Sequence, residues 1–105
     1  MGISNPAAAK KVATGTYTGD GAAARQKTTG FKCGAVIISR SGAATTSQGM
    51  FVVLMPGDSQ VIITGGTCIT STDALHASDG FVLGSATNSA MNVFSKTYSY
   101  WAIEA

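Results

Sequence analysis

The chain has 105 residues with 45% apolar, 8% aromatic and only 11% charged side chains, and a formal net charge of +2. Globular chains usually carry about 25% charge, and the deficit is filled by thirteen Gly, eleven Ser and thirteen Thr, a strand-and-turn composition that argues against a helical enzyme domain. The seven Lys and Arg are scattered, only Lys10 and Lys11 being adjacent, so there is no clustered footprint for nucleic acid.

Residues 1–11, MGISNPAAAKK, hold one large aliphatic side chain, Ile3, and no aromatic one, so they cannot belong to a core. They are expected to form an extended N-terminal arm that touches a partner, and no apolar run follows the two lysines to suggest a secretory signal. The folded domain is expected over residues 12–105.

From Val12 onward, short β-type runs alternate with turn signals. A strand over Val12–Thr18 meets Gly19-Asp20-Gly21, where an Asp-Gly pair accepts the positive φ of a tight turn. Arg25–Thr29 reads as a short polar edge strand, and Phe31–Ser39 as a longer one ending at Ser41-Gly42. Gly49–Met55 is a strand stopped by Pro56-Gly57-Asp58, with Pro suited to the second turn position and Gly to the third. Gln60–Thr64 is its partner, Gly65-Gly66 turns into Thr67–Ser71, and Thr72–Ser78 is expected to hold a helical turn capped by Ser71 or Thr72. Gly80–Gly84 and a long final strand, Met91–Ile103, complete the chain. The fold class predicted is all-β, an antiparallel β-sandwich of about six to eight strands.

A strand with one wet face should alternate apolar and polar residues. Met50–Met55 does not: Met50, Val52 and Leu54 share one side, while Phe51, Val53 and Met55 share the other. Val61, Ile62 and Ile63 behave alike, and near the C-terminus Trp101 and Ile103 oppose Tyr98, Tyr100 and Ala102. Two-layer packing buries one face of each sheet, so the second faces need another cover. Burying one large apolar side chain is worth about 1.5–3 kcal/mol, so four to six left wet would rival the ~5–15 kcal/mol that holds a domain together. The expectation is a homo-oligomer whose subunit interface includes Phe51, Val53, Met55, Tyr98 and Tyr100. The longest apolar run, Met50–Met55, is far short of the ~20 residues of a membrane helix.

Chemistry is sparse. His76 is the only histidine, and Asp73 and Asp79 flank it at three-residue spacing, but an incidental histidine on a polar loop is the simpler reading, and no metal site is predicted. Ser71 and Ser78 lack a nucleophile elbow, and Glu104, the only Glu, has no sequence reason to meet a second carboxylate. Neither glycine pair is followed by the helix and lysine of a phosphate loop. No catalytic residue and no cofactor are predicted. Cys33 and Cys68 lack metal spacing and are expected to be buried free thiols. Tyr98, Tyr100 and Trp101 could stack on a sugar ring, but a dense aromatic cluster on a last strand is more often core or subunit interface, and the interface reading is preferred.

Several of these pieces occur in a recognisable order. Thr16-Tyr17-Thr18-Gly19-Asp20-Gly21, Gly30-Phe31-Lys32 with Ala35-Val36-Ile37-Ile38, Asp79-Gly80-Phe81-Val82-Leu83-Gly84 and Tyr98-Ser99-Tyr100-Trp101-Ala102-Ile103 together resemble a small β-domain of tailed-phage virion proteins, the kind found in capsid decorations and fibre tips. The pattern is more loosely similar to H-type lectin domains, trimeric antiparallel sandwiches. Where the family pattern has proline after Gly30-Phe31-Lys32, this chain has Cys33. The resemblance implies a trimeric structural protein of the virion, assembled in the host cytoplasm, without a catalytic site. As a capsid decoration it would grip the major capsid protein through arm residues Ile3, Asn5, Pro6, Lys10 and Lys11. As a fibre tip it would bind surface glycan through Tyr98, Tyr100 or Trp101.

Overall fold

The computed structural model describes residues 9–41, 49–57, 60–63, 67–85 and 89–105. These build nine strands, with no helix among them: β1 Val12–Thr18, β2 Arg25–Lys27, β3 Cys33–Arg40, β4 Gly49–Leu54, β5 Gln60–Ile63, β6 Cys68–Thr70, β7 Ala74–Leu75, β8 Phe81–Leu83 and β9 Thr97–Glu104. Six form one antiparallel sheet in the order β1-β9-β3-β4-β5-β6, and three form a second in the order β2-β8-β7. A single parallel bridge between Lys32 and Gly80, each just ahead of a strand, tacks the two sheets together. The architecture is all-β and compatible with a sandwich.

The core lies between the sheets and follows the two-residue period of the strands. Tyr17 and Tyr98 face inward from β1 and β9, Val36 and Ile38 from β3, and Val52 and Leu54 from β4; Phe81 and Leu83 of β8 meet them, and all are buried. Phe81 joins the layers by standing edge-on to Tyr100 with centroids 5.2 Å apart, and within the larger sheet Tyr17 stacks on Tyr98 at 5.3 Å. Tyr100 also lies over Gly15, where an added Cβ would sit 2.8 Å from its hydroxyl. Gly15 is the residue that lets the tyrosine close that end of the core.

Four sequence expectations change. The segment Thr72–Ser78 holds β7 in place of a helical turn, because Ser71 Oγ accepts from the Asp73 N–H at 2.9 Å while the Asp73 carboxylate turns inward. The last strand starts at Thr97 rather than Met91, since Met91 and Asn92 are buried and Ser95, with φ of 66°, turns the chain before β9. Cys33 is buried as expected, but Cys68 is exposed, because it lies on the short edge strand β6. Tyr98, expected at a subunit surface, is wholly inside the chain's own core. The Pro56-Gly57 turn forms as read, with Gly57 at φ of 83°. Positions 42, 58, 65 and 66 of the expected turns lie outside the described residues.

Candidate interaction surface

The strand pairing sets the outward face of the larger sheet. Trp101 stands opposite Ile37 on one side and Thr14 on the other, and Ile37 in turn opposes Val53. Ile103 lies between Val12 and Ala35, and Ser39 between Ser99 and Phe51. The surplus apolar residues of four separate strands thus form one continuous face. None of the outward positions of β1, β9, β3 and β4 carries a charge. Trp101 remains 38% exposed and Val12 51%, while Ile37, Phe51 and Val53 are half-buried. A shallow depression of about 210 Å³ opens there, lined by Ile37, Ser39, Phe51, Ser99 and Trp101, with Tyr100 between the last two in β9. Flat aromatic and aliphatic groups with two hydroxyls at the margin suit an apolar partner surface with a polar rim.

Of the expected interface residues, Phe51 and Val53 lie on this face. Met55 is 47% exposed but lies past the end of β4, where it lines a different cavity of about 310 Å³ with Thr70, Ser71, Asp73 and Leu75. Tyr98 and Tyr100 point the other way: Tyr98 is buried and its hydroxyl accepts from the Val93 N–H at 3.0 Å, and Tyr100 packs on Phe81. The backbone alternation of β9 therefore leaves Trp101 as the one aromatic of that strand available to a partner or a sugar. Ile37, Ile103 and Val12 complete the face. Alternation alone divides each strand into two faces without saying which is outward, and the adjacency of these residues depends on β9 lying between β1 and β3.

The expected arm divides. Ile3, Asn5 and Pro6 lie outside the described residues. Lys10 Nζ donates to the main-chain oxygen of Ala105 at 2.8 Å, and the Lys11 N–H donates to Glu104 Oε1 at 3.2 Å. These two lysines fasten the start of β1 to the end of β9.

The polar groups weighed for chemistry are occupied in loop construction. Asp73 is buried and its two oxygens accept from the Gly84 and Met91 N–H groups, both at 2.8 Å. Burial raises its carboxyl to about 6, the two N–H donors opposing that rise. Asp79 accepts from the Thr29 and Gly30 N–H groups, and these hold its carboxyl below the usual range. His76 Nδ1 accepts from the Ser78 and Asp79 N–H groups at 3.1 and 3.2 Å. Among the described residues, no three His, Cys, Asp or Glu side chains converge on a point where a metal could sit.

The motifs that carry the family resemblance have visible structural work. The Tyr17 hydroxyl donates to the Met91 carbonyl at 2.7 Å. Asn92, buried, receives the Asp20 N–H and an Arg25 N–H on its oxygen and donates to Asp20 Oδ1 and the Ala22 carbonyl. Gly80, at φ of 74°, passes so close to the Lys27 carbonyl that no side chain fits. Tyr17 and Gly80, with Asn92 from outside those motifs, build corners and core, whereas Trp101 of the closing motif faces outward. No family model, curated protein or solved structure matches the chain.

Proposed function

We propose that the chain is a structural assembly module, a self-associating β-domain of a tailed-phage particle that acts as a capsid decoration and carries no catalytic site. The observation that carries this reading is the uncharged apolar face centred on Trp101, Ile37 and Val53, which the chain's own second sheet does not cover. Those side chains and Val12, Ile103 and Phe51 are only partly buried, so covering the remainder contributes about 1 kcal/mol each, enough in sum to offset much of the cost of association. The order of the Tyr17, Phe31, Phe81 and Trp101 motifs supports the virion assignment, where trimers are the implied state. Residues preceding Lys10 are assigned to the major capsid protein, since the two lysines are engaged by Glu104 and Ala105.

Two experiments test this. Light scattering on the purified chain should give a multiple of 10.6 kDa, falling on Trp101→Lys substitution; a mass of one chain at high concentration contradicts self-association. Deletion of residues 2–8 should abolish attachment to capsids while leaving the number of copies unchanged, and retained attachment would remove the anchoring role. The second reading, a glycan-binding tip, is favoured by the Ser39 and Ser99 hydroxyls beside Trp101 in the depression. Saturable sugar binding that is lost in Trp101→Ala and retained by the 2–8 deletion would select it.

A further inference from the structure

We infer that the open side of β1 is a pairing edge, and that its occupant is β1 of a second copy, running antiparallel across a two-fold axis. This rests on reading the chain as self-associating, and it specifies a contact separate from the Trp101 face.

The hydrogen-bond parity of β1 identifies what the edge presents. Extending the β1–β9 register, Lys11 faces Glu104 and Gly19 faces Lys96. Both pairs are bonded: the Glu104 N–H donates to the Lys11 carbonyl at 2.9 Å, and the Gly19 N–H to the Lys96 carbonyl at 2.7 Å. Bonded positions alternate in an antiparallel ladder, so the odd-numbered residues of β1 bond to β9 while Val12, Thr14, Thr16 and Thr18 turn their N–H and C=O groups outward. Arg25 provides an independent check, because its guanidinium donates to the outward Thr18 carbonyl at 2.7 Å. That contact closes one end of the edge and leaves Val12, Thr14 and Thr16.

Sheet edges in soluble proteins are normally blunted by shortness, charge, proline or a bulge. Three of the four edges among the described strands are blunted in that way. β6 has three residues and β7 has two, while β2 is Arg25-Gln26-Lys27. β1 is seven residues long, Val-Ala-Thr-Gly-Thr-Tyr-Thr, without charge or proline, and its register with β9 is unbroken.

The strand is also suited to itself. With the two-fold axis at Thr14, the Thr14 residues of the two copies exchange hydrogen bonds, and each Val12 exchanges them with the other copy's Thr16. On the inward face Ala13 then meets Gly15, a pair small enough for close approach, and on the outward face Val12 packs beside Thr16. Such a contact is isologous and joins copies two by two. The number of copies is therefore even, two if this contact stands alone and six if it joins two trimers, where the family resemblance alone implies three.

The test is amide hydrogen exchange and light scattering on the intact chain and two variants. The Val12, Thr14 and Thr16 amides, which β9 does not use, should exchange markedly more slowly as concentration rises. Thr14→Pro removes an N–H that the chain's own ladder does not need, and Thr14→Lys keeps the backbone while placing like charges together at the axis. Each should halve the mass in solution and abolish the added protection. Three copies, or fast exchange of these three amides in the assembled state, overturns the inference while leaving self-association through the Trp101 face standing. Conversely, slow exchange at the three amides in a dimer whose mass Trp101→Lys does not alter supports β1 pairing and removes the Trp101 face as the subunit contact.

Discussion

At the scale of single residues, the buried Asp73 carboxylate gives the chain a distinctive pH response. Its folded value of about 6 lies above the ordinary 3.8, so between those values the native chain holds a proton that the unfolded chain releases. The stability this contributes is fully present below about pH 4 and is lost as pH rises through about 6, a difference of about 3 kcal/mol. Asp20 and Asp79 work in the opposite sense. Asp20 is held low by the Ala22 N–H and by Asn92, and Asp79 by the Thr29 and Gly30 N–H groups, so their contribution is present above pH 4 and fades in stronger acid. Urea midpoints measured from pH 3 to 7 should rise and then fall, and Asp73→Asn should flatten the fall. The same variant should cost about 1–3 kcal/mol at low pH, because its amide cannot accept from both the Gly84 and Met91 N–H groups.

Two glycines with similar φ separate conformational cost from collision. Gly57, at 83°, has open space where a Cβ would stand, whereas at Gly80, at 74°, the same atom meets the Lys27 carbonyl. Gly57→Ala should therefore cost about 1–2 kcal/mol, the price of a left-handed conformation alone. Gly80→Ala should cost more, since β2 must move away from β8; thermal unfolding of the two variants compares them directly.

At the scale of elements, the sequence made local features readable and hid the distant ones. Pro56-Gly57 announces its own turn because both residues act within the same few bonds, and the doubled apolar parity of Met50–Met55 follows from the strand period alone. The pairing of β9 with both β1 and β3 joins residues 58 to 91 positions apart, and no local pattern encodes it. For that reason alternation separated Trp101 from Tyr98 and Tyr100 without saying which side faces out, and Tyr98 and Tyr100 were assigned to a surface that they face away from. The expected helical turn failed on chemistry that two structures share: a Ser followed by Asp can cap a helix, and here Ser71 and Asp73 use the same side-chain bonds to hold an extended loop. The start of β1 supplies a further prediction. Compared with a chain lacking residues 2–8, one lacking residues 2–11 loses the Lys10 and Lys11 fastenings to Glu104 and Ala105 and should have a Tm lower by several degrees, corresponding to about 1 kcal/mol.

At the scale of the whole molecule, the three-stranded sheet covers the inward face of a six-stranded one, and the outer face of β1, β9, β3 and β4 is left with aromatic, aliphatic and hydroxyl groups and no charge. A face of that composition is accounted for by another protein surface lying against it. Because Trp101 is the only tryptophan and sits in the middle of that face, its accessibility reads the central claim without a label. Collisional quenching of Trp101 fluorescence should be weak in concentrated protein and become efficient on dilution, as copies separate and expose the ring. Quenching that is equally efficient at every concentration would show that nothing covers the face, and the assembly role would fall with it.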